Sequence, residues 1–300
     1  MRIVRDRKEH DGFFWVEQLL MNGRPVQETA QDLDTLSGIS GAWEVRFEVL
    51  SPLFIGSGEV DVADEPGVPT MHFRIVRRGE SVIVPGTSLK GVIRSLGEIL
   101  SPSCLGGEDH DRCPACLLFG TLGRRGRITF EDGVIEDAEL SVMQIAQRTQ
   151  ARRIGPNNEG GFRKLYSRDQ GTVQATWSDD TERLETVLPG AWFRSRVSFH
   201  TLAEWQVGLL LLALGLAPGY MFHLKCGGGK NRGFGLLRST WEEGVWAESQ
   251  PWFWGRRQAV TEVQLQTWLE AYRHQAETWG IWNNLPPLLT CLQEEYQYEP

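Results

Sequence analysis

The spacing of apolar residues between positions 43 and 226 switches from two to about 3.6 and back, twice over, and that order most restricts how the chain can fold. Trp43, Val45, Phe47 and Val49 alternate with Glu44, Arg46, Glu48 and Leu50, the period of a half-buried strand. Val82-Ile83-Val84-Pro85-Gly86 then leads into a helix with Leu89, Val92/Ile93, Leu96 and Leu100 on its apolar stripe, and Thr87 or Ser88 is placed to cap it. A second strand falls at Arg127 to Glu131, a third at about Trp192 to His200, a second helix at about Leu202 to Leu216, and a fourth strand at Tyr220 to Cys226. The order βαββαβ describes an α+β chain of the ferredoxin-like, RRM-like kind, with long excursions between its elements.

The flanks differ in composition, so the expected division is 1–41, 42–240 and 241–300. The first stretch is polar, with Phe13 to Met21 a candidate strand and Asn22-Gly23 a turn signal. The last is acidic, rich in Trp and mainly helical, with Thr261 to Trp279 a helix whose expected buried positions include Val263, Trp268 and Tyr272. The formal charge of −8 argues mildly against a nucleic-acid partner, but residues 241–300 hold nine acidic and three basic side chains and contribute −6 of it. The first 240 residues therefore sum to −2 and contain basic clusters at Arg124-Arg125-Gly126-Arg127, Arg152-Arg153 and Lys225 to Arg232. Local charge, and not the total, decides such binding. The longest apolar run, Val207 to Ala217, is too short for a bilayer, and no leader pattern follows the N-terminal charges. A cytoplasmic protein without a membrane partner is the expectation.

Cys104, Cys113 and Cys116 lie within thirteen residues, with His110 between them. A Cys-x-x-Cys knuckle offers two thiolates at the bite of a tetrahedral ion, and the four together form a closed Cys₃His set, which points to structural zinc. A redox pair or buried unligated thiols are the competing readings; a redox pair ordinarily opens a helix after a strand and has no further ligands beside it. A second distinctive stretch is Cys226-Gly-Gly-Gly-Lys230-Asn231-Arg232-Gly-Phe-Gly235. It fails the nucleotide-binding P-loop pattern, because Leu224 and Asn231 stand where glycine and Ser or Thr are required. Bare backbone at Gly228 and Gly229, with Lys230 and Arg232, would suit an anion, although a plain turn with solvated charges fits the same residues. Lys90 and Arg94 lie i,i+4 near the positive end of the first helix, suited to phosphate or simply to solvent.

Four motifs in order carry a resemblance: Val84-Pro-Gly-Thr-Ser-Leu-Lys-Gly-Val-Ile-Arg94, Cys113-Pro-Ala-Cys-Leu-Leu-Phe-Gly120, Gly126-Arg-Ile-Thr-Phe-Glu-Asp132 and Gly227-Gly-Gly-Lys-Asn-Arg-Gly-Phe-Gly235. A weaker echo is Leu184 to Phe193. Together they resemble the RAMP superfamily, in particular the backbone subunit that polymerises along the guide RNA in type III CRISPR effectors. The resemblance implies a ferredoxin-like palm, a zinc-bearing insertion at about 101–120, and a β-hairpin thumb at about 145–190 that pushes between guide and target RNA. It implies contacts to the guide backbone from Ser88, Lys90, Arg94, Gly228, Gly229, Lys230, Asn231 and Arg232, with Arg148 and Arg152 on the thumb. Its partners would be the crRNA guide, complementary target RNA and the other effector subunits.

One departure bears on catalysis. Members that cut target RNA resemble one another in an Asp placed in the loop before the Pro-Gly-Thr-Ser motif, and counting back from Pro85 reaches Thr70. Asp61 and Asp64 stand earlier and would serve only after a register shift, with Mg or Mn assisting; the bland alternative is solvated loop acids. The leading reading is therefore an RNA-binding scaffold, the second a metal-dependent endoribonuclease in the same complex. A stand-alone guide-processing ribonuclease is the third, disfavoured by the cysteine insertion.

Overall fold

The alternation at Trp43 to Val49 lies inside a longer strand, Gly38–Val49, where Trp43, Val45, Phe47 and Val49 are all fully buried. Each contributes about 1.5–3 kcal/mol by leaving water. In the computed structural model, which describes residues 2–5, 13–21, 37–65, 68–104, 113–146, 161–166, 168–170, 181–250, 253–254, 256–293 and 295–297, this strand sits inside a large antiparallel sheet. The sheet runs Leu224–Lys225, Leu236–Gln250, Gly38–Val49, Trp192–Leu202, Gly133–Glu136, Ser81–Val84 and Arg77–Arg78, with Ile128–Phe130 also on Trp192–Leu202. The architecture is α+β with mostly antiparallel sheets and is compatible with the ferredoxin-like arrangement.

The fourth strand differs from expectation. Tyr220 to Cys226 contributes only the edge pair Leu224–Lys225, and the neighbour of the central strand is Leu236–Gln250, which runs on past residue 240. A register shift between Trp241 and Glu243 breaks its alternation, which hides the strand in the sequence.

Helix Gly86–Leu100 buries Leu89, Ile93, Leu96 and Leu100 as its spacing requires. Neither Thr87 nor Ser88 caps it. Pro85 stands at the N-cap, and the Asp132 carboxylate reaches across from the end of Ile128–Phe130 to accept from the Gly86 N–H at 2.8 Å. The helix begins one residue too early for either hydroxyl to cap, because Pro85 supplies the first accepting carbonyl, to Ser88 at 2.9 Å. Gly86 itself packs against the Phe130 backbone so closely that a Cβ would collide with its carbonyl oxygen.

The second helix, Glu204–Ala213, is apolar all round and is buried throughout its Gln206 to Ala213 length, as an inner helix must be. Helix Glu262–Trp279 lies across it, with Gly208 touching the Trp268 carbonyl and Trp268 stacked on Trp43 at 6.0 Å. Thr261 caps that helix, accepting from Gln264 N–H at 3.3 Å. Val263, expected inside, is 76% exposed. It precedes Trp268 by five residues, about 140° around the helix from the Trp268–Tyr272–Ala276 stripe.

The region before Val68, expected as a loop, is one arm of a hairpin: Gly56–Glu65 pairs with Val68–Ile75. Val60 faces Phe73, which packs on the small core of Phe54, Met143, Ile145, Leu184 and Phe234, while Val62 and its partner Met71 are exposed. The hairpin is joined to Thr181–Val187, itself paired with Leu140–Ala146. Arg77 grips Glu185 with two hydrogen bonds of 2.8 and 2.6 Å, and this holds the Glu185 carboxyl below its ordinary range. The stretch 145–190, expected as a thumb, takes in the end of Leu140–Ala146 and all of Thr181–Val187, and its residues 147–160, 167 and 171–180 lie outside the described residues.

Replacing Asp132 with Ala removes the cap and strands the Gly86 N–H against the sheet. The expected loss is about 1–2 kcal/mol in chemical denaturation, and Asp132→Asn should recover most of it.

Candidate nucleic-acid interface

The first helix presents Thr87, Ser88, Gly91, Val92 and Ser95 along one side, at the i, i+3, i+4 and i+7 spacing of a single face. That side forms a wall of a cleft of 340 Å³. The opposite wall is the glycine loop, which contributes Gly227 and Lys230, and the third is the strand Phe162–Tyr166, which contributes Lys164 and Tyr166.

The glycine loop is held open by its backbone. Gly227, Gly229, Gly233 and Gly235 have φ of 85°, 69°, 83° and 78°, the left-handed region where a side chain is strained. A tight turn, Lys230–Arg232, bulges between them. Gly228 N–H donates to the Phe54 carbonyl at 2.8 Å and Gly235 N–H to Pro52 at 2.8 Å, so the loop is anchored on the chain between the two sheets. The Gly228 N–H is therefore turned inward, and the anion-facing chemistry of the loop rests with its side chains. Burial pushes the Lys230 amine below its usual range, and its ammonium lies 5.2 Å from the Tyr166 ring centre. Lys164 lies 5.5 Å from the same ring and 3.5 Å above Phe13. Two lysines around an aromatic ring at the mouth of a cleft are suited to a phosphate-bearing chain with stackable bases.

The sequence profile of the RAMP superfamily matches residues 46–238, most of the chain. The chain belongs to the RAMP superfamily. Membership points to CRISPR-associated RNA binding or RNA cleavage. No curated protein matches the chain.

Three of the four RAMP motifs, scattered in sequence, lock together here. Asp132 of the third caps the helix of the first, and Arg94 of the first reaches into the second. Arg94 donates to Glu98 at 2.9 Å, to the Gly120 carbonyl at 2.5 Å and to Cys116 Sγ at 3.6 Å, while Arg163 holds the other oxygen of Glu98 at 2.5 Å. Expected at a phosphate, its guanidinium is instead turned into the fold. Lys90 shares that side of the helix, away from the cleft, where burial and the charges of Arg94 and Arg125 lower its pKa. The cleft thus gathers Ser88 and Lys230 but not Lys90 or Arg94. Asn231 and Arg232 lie in the tight turn beside Lys230, and Gly229 starts it.

Cys104, Cys113 and Cys116 place their sulfurs within 4.8 Å of one another, a grouping that could hold a metal ion. The Cys104 and Cys116 sulfurs are 3.6 Å apart, far beyond a disulfide, and none of the three is in one. The hydrogen bond from Cys116 draws the Cys113 thiol down to about 6 and leaves Cys116 as the proton holder. His110, Arg148 and Arg152 lie outside the described residues. Asp61 is exposed, accepts from its neighbour Val62 N–H at 2.9 Å and lies 3.9 Å from Arg74; Asp64 stands opposite Pro69 near the hairpin tip, and Thr70 opposite Ala63.

Lys164 and Tyr166 were not among the expected contacts. They fall in a stretch assigned wholly to the thumb, and the signal that marks them is the alternation of aromatic and basic residues in Phe162-Arg-Lys-Leu-Tyr166. Because Arg94 is a fold residue in this geometry, Arg94→Ala should lower stability by roughly 2 kcal/mol and leave the salt dependence of RNA binding unchanged. Denaturation and binding titrations on the same preparation check both halves.

Proposed function

We propose that the chain is a guide-RNA-binding subunit of a type III CRISPR effector complex, with the crRNA backbone running through the cleft between the first helix, the glycine loop and Tyr166. The observation that carries this reading is the convergence of Ser88 and Lys230, far apart in sequence, on one cleft whose third wall bears Lys164 and Tyr166. The βαββαβ palm supports the cleft, and a thumb at about 145–190, with Arg148 and Arg152, parts guide from target RNA. Neighbouring effector subunits complete the assembly in the cytoplasm. Changing Lys164 and Lys230 together to Ala should weaken guide binding and flatten the log–log salt slope by about 0.7 per charge removed. Unchanged affinity and slope would overturn the assignment of the cleft.

The metal in this reading is one structural zinc on Cys104, Cys113, Cys116 and His110. A tetrahedral ion with zinc–sulfur bonds of about 2.3 Å spaces its sulfurs about 3.8 Å apart, close to the Cys104–Cys116 separation of 3.6 Å. Binding such an ion would take the proton from Cys116, and the Arg94 guanidinium beside it would stabilise the resulting thiolate. Elemental analysis should find about one zinc per chain, and Cys113→Ser should lose metal and solubility together.

Cleavage of the target is assigned a minor place. Attack by a 2′-hydroxyl needs a carboxylate or a bound Mg or Mn close to the reacting oxygens. Asp61 is engaged with Arg74, and the family position is Thr70. In an assembled complex with matched target and divalent metal, no cut is expected opposite this subunit. A cut there that vanishes in Asp64→Ala, with assembly intact, would establish the nuclease reading instead.

A further inference from the structure

The face of the central sheet turned away from the helices holds a second cleft, of 660 Å³, which shares no residue with the first. Register explains why it is there. Thr129 pairs with Ser198, Ser198 with Ala42, and Ala42 with Val245, so one row across four strands carries only short side chains. The sheet is left with a trough where larger residues would stand. Around this floor rise Arg125, Arg196, Arg257 and His200, and no carboxylate among the described residues lines the cleft.

The charges there are poorly matched by the protein. Arg196 has Glu44 opposite it in register, 3.4 Å away. Arg125 and Arg257 have no carboxylate partner among the described residues. Arg125 stands close enough to His200 and to Lys90 for its charge to disfavour protonation of both, alongside their burial. Elsewhere on the same face Arg194 is matched with Glu242 and Arg238 with Glu48, while Arg46 lies over the Trp192 ring. Unopposed guanidinium forks over a floor of hydroxyls, in a protein of net charge −8, mark a place kept for an external anion. The volume is that of a small-ligand site, and the donors suit the tetrahedral oxygens of phosphate.

We propose that this cleft on the open sheet face binds the phosphate group of a nucleotide, through Arg125, Arg257 and Arg196 over Thr129 and Ser198. The site is separate from the guide cleft and stands whether or not that assignment holds. Its phosphate can belong to a free mononucleotide or to a nucleotide within a strand, and the experiment separates the two.

Calorimetric titration of the full chain with adenosine 5′-monophosphate should show binding that weakens at least about tenfold in Arg125→Ala/Arg257→Ala. Both arginines are exposed, so circular dichroism should show that variant folded. The variant Lys164→Ala/Lys230→Ala should bind the mononucleotide as the wild type does. A short oligouridylate is then titrated into that lysine variant. Residual binding that disappears when Arg125 and Arg257 are also changed identifies a strand as the source; mononucleotide binding without it identifies a free nucleotide. The proposal is overturned if the wild type binds neither probe, or if binding persists undiminished in Arg125→Ala/Arg257→Ala. Loss of mononucleotide binding in the lysine variant alone would also overturn it.

Discussion

One hydrogen bond, from Gly86 N–H to the Asp132 carboxylate, ties the start of the first helix to the sheet. The first turn of a helix leaves its N–H groups without intrahelical partners and carries partial positive charge, so an anionic acceptor there is doubly favourable. Because that acceptor comes from the end of a strand, the helix cannot shift along the sheet without losing it. Gly86 makes the approach possible, since any side chain would strike Phe130. The wall of the cleft formed by Ser88, Gly91 and Ser95 inherits its position from this contact.

A second group of contacts continues from the same helix. Glu98 is nearly buried and stands between Arg94 and Arg163, and Arg94 goes on to Gly120 and Cys116. A buried carboxylate of this kind needs a cation beside it to compensate its charge, and here two guanidinia share that role, one on each oxygen. It joins the helix to the cysteine insertion on one side and to the strand bearing Lys164 and Tyr166 on the other. The cysteine cluster and the cleft are thus linked through a few polar side chains.

What the sequence makes legible here is periodic. The strand at Trp43, the stripe of the first helix and the apolar second helix follow from spacing alone, because burial on one face leaves a repeat. The order of motifs likewise points to the RAMP superfamily. What it hides are contacts between elements: that Asp132 caps a distant helix, that Arg94 turns inward, and that Lys164 and Tyr166 join Lys230. A basic residue on a helix reads the same whether it meets phosphate or carboxylate. The hairpin of Gly56–Glu65 with Val68–Ile75 was hidden differently, since glycines and acids at its start mask the alternation of Val60 and Val62 with Met71 and Phe73.

The strand that brings Lys164 and Tyr166 to the cleft is paired with Phe13–Glu17, while the next one, Arg168–Gln170, is paired with Glu295–Gln297 near the other terminus. Pairings that far apart in sequence are entropically costly and slow to form. The central strand Gly38–Val49 waits longer still for its neighbour Leu236–Gln250, so during synthesis the strand bearing Lys164 and Tyr166 meets its partner before the large sheet is complete. That wall can be in place before the glycine loop that faces it has been added.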